Sequence, residues 1–179
     1  MRMSIDRGNS GDTILHSIFQ PIERNFTFFV AGIHATTLPF FQENFGDTYG
    51  MDDFNKLLNR KLDQNGNIKG NMHSFPPYTT QCQMLTITAY DYLLASKYNK
   101  KINNLEIVKF LKYLRHGAAH GNKFNISPPI KNDIVWRDKI INQHLNKKEV
   151  FHKFIKINEV FLLLADISEE LYKLDNGRY

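Results

Sequence analysis

Within Tyr113-Leu114-Arg115-His116-Gly117-Ala118-Ala119-His120-Gly121-Asn122, a guanidinium precedes an imidazole by five positions, with a second imidazole directly after the arginine. These groups suit the breaking of a phosphodiester. RNA cleaves itself when its 2′-hydroxyl attacks the adjacent phosphate, and the 2′-hydroxyl is what separates it from DNA. A catalyst must take one proton, give one to the leaving oxygen and stabilise extra charge on phosphorus. Histidine titrates near neutral pH and moves protons. Arginine stays charged and forks onto two phosphate oxygens. Arg115 and His120 are the candidate catalytic pair, with His116 as substrate contact, proton shuttle or positioning group. No metal or cofactor is needed for such chemistry, since electrostatic stabilisation supplies a large share of the rate.

Blander roles compete at each position. Arg115 could close a salt bridge, and His120 could simply favour a helix C-terminus. His116 and His120 also have the spacing of two zinc ligands on a helix, but no acid lies between them. His73, His144 and His152 are the distant residues that could complete such a site. Asn122 and Lys123 either hold phosphate or form the turn after Gly121. Lys112, with Lys109 and Lys123, either tracks phosphates or belongs to a solvated helix face. Trp136 and His34 read as core, and Cys82, without a basic neighbour in sequence, reads as an inert small hydrophobe.

On a helix, Arg115 and His120 lie about 7.5 Å apart along the axis. They sit too far round the helix for one copy to grip a phosphate well. Two copies across a two-fold axis could surround it, and the small residues Gly117, Ala118 and Ala119 would let another chain come close.

The positioning elements follow from periodicity. Leu15, Ile18, Ile22, Phe26, Phe29 and Ile33 recur at helical spacing, with Pro21 marking a kink or the true start of the long helix. A shorter helix is expected over Asp52 to Leu62, and a surface loop over 63–76. Pro77 can open a helix to about Tyr98, with Met84, Ile87, Tyr90 and Leu94 on its stripe. Asn103 or Asn104 can cap the next, striped by Ile107, Leu111, Leu114 and Ala118 and stopped at Gly121. Ser127-Pro128-Pro129 forces an extended connection, and Ile134-Val135-Trp136 is a short strand or an anchored loop. A last helix spans Ile157 to Leu174. Strand signals are too sparse for a sheet. The fold class is all-α: an antiparallel bundle of four principal helices with short additional ones.

The chain has 179 residues, enough for one domain, with residues 1–11 a loose amino-terminal segment. A single cysteine excludes an internal disulfide and fits a reducing compartment. The opening MRMSIDRGNSGD lacks the apolar stretch of a signal peptide, and no run approaches membrane-spanning length. A cytoplasmic location away from membranes is expected. The formal net charge of +5 favours a polyanionic partner.

The Arg-x4-His spacing from Arg115 to His120, with His116 after the arginine, near the end of a late helix in a basic helical chain, resembles the HEPN superfamily. The resemblance covers the region from Pro77 to Leu174, and extends to Trp136-Arg137 and the stretch from Leu162 to Ile167. It implies a HEPN-like helical bundle, a homodimer with a composite metal-independent RNase site, and action as a toxin or antiphage effector on RNA. A further partner would be an antitoxin or other defence-system protein. Some relatives carry a tyrosine two residues after the histidine, where a partner enzyme modifies them; Asn122 stands there in this chain. The competing expectation is a non-catalytic, dimeric HEPN-like module that binds RNA or nucleotides. A purely structural helical partner is the third.

Overall fold

The computed structural model describes residues 15–35, 61–62, 68–69 and 76–177. Helices dominate them: α1 (Gln20–Ala35), α2 (Pro76–Ala95), α3 (Asn99–Ile102), α4 (Glu106–Ala119) and α5 (Ile157–Asp175). A 3-10 turn, Ser17–Phe19, leads into α1, where Pro21 occupies the first turn and its missing N–H costs nothing. Leu15, Ile22 and Phe26 of the expected stripe are buried, Ile18 and Phe29 only partly so, and Phe19, outside that stripe, is fully buried. The expected loose segment 1–11 lies outside the described residues.

Successive long helices run in alternating directions. Gln83, early in α2, donates to the carbonyl of Ala118 at the end of α4. At the opposite end, His16 before α1 meets Asp175 at the end of α5, and Tyr98 after α2 meets the same carboxylate. The Phe26 and Phe161 rings, 4.8 Å apart, pack α1 onto α5. One hydrophobic cluster runs through all of these, from Leu15 to Leu171.

Several sequence expectations need correction. Lys61–Leu62, assigned to a helix, form a strand paired antiparallel with Ile68–Lys69, inside the expected loop. The intervening DQNGN contains Asn-Gly, a strong hairpin signal that the helical stripe concealed. The rest of the expected helix, residues 52–60, lies outside the described residues. The described residues therefore do contain sheet, as two small ladders. The second joins Ile134–Trp136 to Lys139–Ile141, and its exposed face carries the cross-strand pair Val135 and Ile140. α2 ends at Ala95, short of the expected Tyr98, which instead stands at the entry to α3. Its core stripe is Cys82, Leu85, Ala89, Tyr90 and Leu93, whereas Met84 and Leu94 are exposed. α2 packs against α1, α4 and α5, so several of its sides are apolar and periodicity alone misplaces the stripe. Finally, α4 is entered through Leu105 in extended conformation, without a side-chain cap from Asn103 or Asn104.

The expected stripe of α4 is present, with Leu111, Leu114 and Ala118 buried and Ile107 packed against the core. Trp136 is core, its ring 5.4 Å from that of Phe110. Trp136 and Arg137 are both tied to α5 by one carboxylate. Asp166 accepts from the indole Nε1 at 2.8 Å and takes the Arg137 guanidinium at 3.0 Å on both oxygens. Among the described residues, no helix is long and apolar enough to cross a membrane.

Candidate active site

The motif occupies the last turn of α4 and the turn beyond it. The helix closes where the His120 N–H is shared between the carbonyls of His116 and Gly117, at 3.1 and 3.2 Å. Gly121 then adopts φ +68°, and Asn122 follows at φ +64°. A left-handed glycine terminates helices readily; a second, non-glycine residue there needs support. Asn122 finds it in the segment 147–151. Its Oδ1 accepts from the Phe151 N–H at 2.7 Å, and its Nδ2 donates to the Phe151 carbonyl and to Glu149, each at 3.2 Å. Its own carbonyl accepts from the Val150 N–H. Gly117 permits the contact, because a Cβ there would collide with a methyl of the buried Val150.

Arg115 is half-buried where α4 faces α2. Its Nη2 lies 3.6 Å from Asp91 Oδ1, and its Nε is buried without a hydrogen-bond partner. The Tyr90 ring is buried beside this pair. Burial pushes its hydroxyl's pKa up, the Arg115 charge pulls it down and the Asp91 charge pushes it up, in that order of size. Asp91 is absent from the sequence reading, and Tyr90 enters it only as part of an apolar helix stripe. They lie on a different helix, and no local pattern connects them to the motif.

His116 is half-exposed, edge-on to the Tyr113 ring at 6.1 Å. Burial holds its proton affinity below the ordinary histidine range, and the positive fields of Lys112, Arg115 and His120 add to the effect. Those four residues therefore share one electrostatic neighbourhood. His120, Lys112 and Lys123 are exposed. Lys123 pairs through its backbone with Glu149. Of the six expected site residues, Asn122 alone has its side chain engaged in packing the loop.

Among the described residues, no group of three or more His, Cys, Asp or Glu could hold a metal ion. His144 is exposed, and His152, at φ +79°, has a buried Nδ1 without a partner. His73 and the side chain of His34 lie outside the described residues. Cys82 is buried, and desolvation pushes its thiol up to about 12, so no thiolate forms near neutral pH.

As pH falls through about 6.5, an unfolded chain takes up a proton on His116 and the native one lags, so native stability declines with acidification on account of this group. A polyanion laid against His116 would oppose the positive fields of Lys112, Arg115 and His120, though not the burial, and so raise its proton affinity. Binding is then coupled to proton uptake. Anisotropy titrations with a non-cleavable 2′-O-methyl oligonucleotide are expected to tighten from pH 7.5 to 5.5. His116→Ala should flatten that slope, and an unchanged slope would remove His116 from the contact face.

Comparison of the chain with protein-family models, curated proteins and solved structures finds no match.

Proposed function

We propose that this chain is a metal-independent endoribonuclease of the HEPN type, cutting RNA at a site completed across a homodimer. The observation that carries the reading is the placement of Lys112, Arg115, His116 and His120 over the last turns of α4 and its C-cap, all of them exposed or half-exposed, so that two fixed positive charges and two imidazoles share the helix end. Like charges held together cost stability unless an anion compensates them. A phosphodiester supplies that compensation. The alternating run of α1, α2, α4 and α5 supports placing the fold with HEPN-like four-helix bundles.

In the reaction, the His120 imidazole takes the 2′-hydroxyl proton while the oxygen attacks phosphorus. Arg115 holds the non-bridging oxygens as charge builds on them. The 5′-oxygen leaves with a proton from a second imidazole, supplied by the other copy's His120 or by His116. The products are a 2′,3′-cyclic phosphate and a 5′-hydroxyl. A cytoplasmic toxin or antiphage effector, restrained by an antitoxin or other defence-system protein, fits a nuclease with such simple requirements.

Mixed RNA incubated with the purified chain in EDTA is expected to be cut, leaving cyclic phosphate ends. Cleavage that requires added metal, or that leaves 3′-hydroxyl ends, overturns the mechanism. Tight RNA binding without cleavage would instead support a binding module built on the same cationic face. A strict monomer in sedimentation that still cuts RNA removes the composite site.

A further inference from the structure

Resting on the nuclease reading above, we infer that Asp91 on α2 is a positioning residue of the site, anchoring the Arg115 guanidinium so that its free edge meets the scissile phosphate. Arg115 has few other fixtures. Its Nε is buried and unpartnered, and the ion pair with Asp91 is the contact that holds its charged end. The side chains are 33% and 51% exposed, so the pair sits at the protein surface, where the guanidinium emerges from between α2 and α4. A pair so exposed, at 3.6 Å, contributes little to folding. Its consequence is orientational. An arginine tethered through one Nη keeps the rest of its fork for bidentate contact with phosphate oxygens. Untethered, the same side chain samples many rotamers, and each productive encounter must first select one.

The carboxylate also acts against binding. It places a negative charge 3.6 Å from the Arg115 guanidinium, so removing it makes that end of the face more attractive to RNA in the ground state. Asp91→Asn therefore moves two quantities in opposite directions, which loss of a structural contact would not do. Single-turnover cleavage of one defined RNA, anisotropy with its 2′-O-methyl analogue, and melting curves should be measured on the wild type, Arg115→Ala, Asp91→Asn and Asp91→Glu.

Asp91→Asn is expected to cleave about ten- to a hundredfold more slowly while binding the analogue more tightly and melting with the wild type. Asp91→Glu should recover most of the rate. A wild type that cuts, an inactive Arg115→Ala and an Asp91→Asn with unchanged rate overturn the positioning role and leave the nuclease reading standing. An Asp91→Asn that slows cleavage only by unfolding, or that weakens binding in proportion to rate, overturns it too. A wild type that never cuts overturns the nuclease reading and this role together.

Discussion

Arg115→Ala and His120→Ala are each expected to lower the rate of RNA cleavage by about 100- to 10,000-fold, the range typical of a lost general acid–base group or charge stabiliser. Stability should barely change. His120 is exposed, and the Arg115–Asp91 pair is too solvated to contribute much to folding. Truncating Arg115 also removes a buried, unpartnered N–H, which offsets part of any loss. Melting curves close to wild type, alongside lost cleavage, are the expected signature.

Arg115→Lys sharpens the test. Lysine keeps the charge but presents a point rather than a planar fork, so it should rescue RNA binding and only partly restore rate. The double alanine variant should be little worse than either single one, because groups that act on one transition state fail as a unit. Two alanine variants cleaving within about threefold of wild type would end the assignment, since general acid–base catalysis alone predicts more.

The local parts of this molecule were readable because their information is local. The stripe Leu111, Leu114, Ala118 and the stop at Gly121 define α4 within one stretch of chain, and the motif lies inside it. What escaped depends on contacts between distant segments. Asp91 reaches Arg115 only because α2 and α4 run antiparallel, and α2 is apolar on several sides, so its sequence does not say which side meets which neighbour.

The cluster at the other end is a stronger case. The buried His16 ring bonds to Asp175 at 3.0 Å across 159 positions, and Tyr98 donates to the same carboxylate at 2.6 Å. Hydrogen bonds from Tyr98 and His16, then Lys97, hold the Asp175 carboxyl down at about 2. Nothing in the neighbours of His16 marks it for burial. Lys61–Leu62 fails for another reason: two residues of strand are too short for a period to register.

Asn122 is where sequence chemistry was ambiguous in kind, because an amide serves a phosphate and a backbone equally well. Asn122→Ala is expected to destabilise the fold by about 2–5 kcal/mol. Of this, about 1–3 kcal/mol comes from leaving the Phe151 N–H without its acceptor, and about 1–2 kcal/mol from forcing an alanine to positive φ. Asn122→Gly separates the two, since glycine accepts the backbone angle while still losing the amide. It should recover about 1–2 kcal/mol of the loss and no more.

Both variants should cut RNA poorly. The loop 147–151 that packs on Gly117 would no longer be clamped against the turn carrying His120. A direct phosphate contact predicts the reverse pattern: Asn122→Gly would lose activity and keep its stability. Urea unfolding of the three proteins decides between clamp and contact, and an Asn122→Ala chain within about 0.5 kcal/mol of wild type would show that the hydrogen bonds of this turn hold nothing in place.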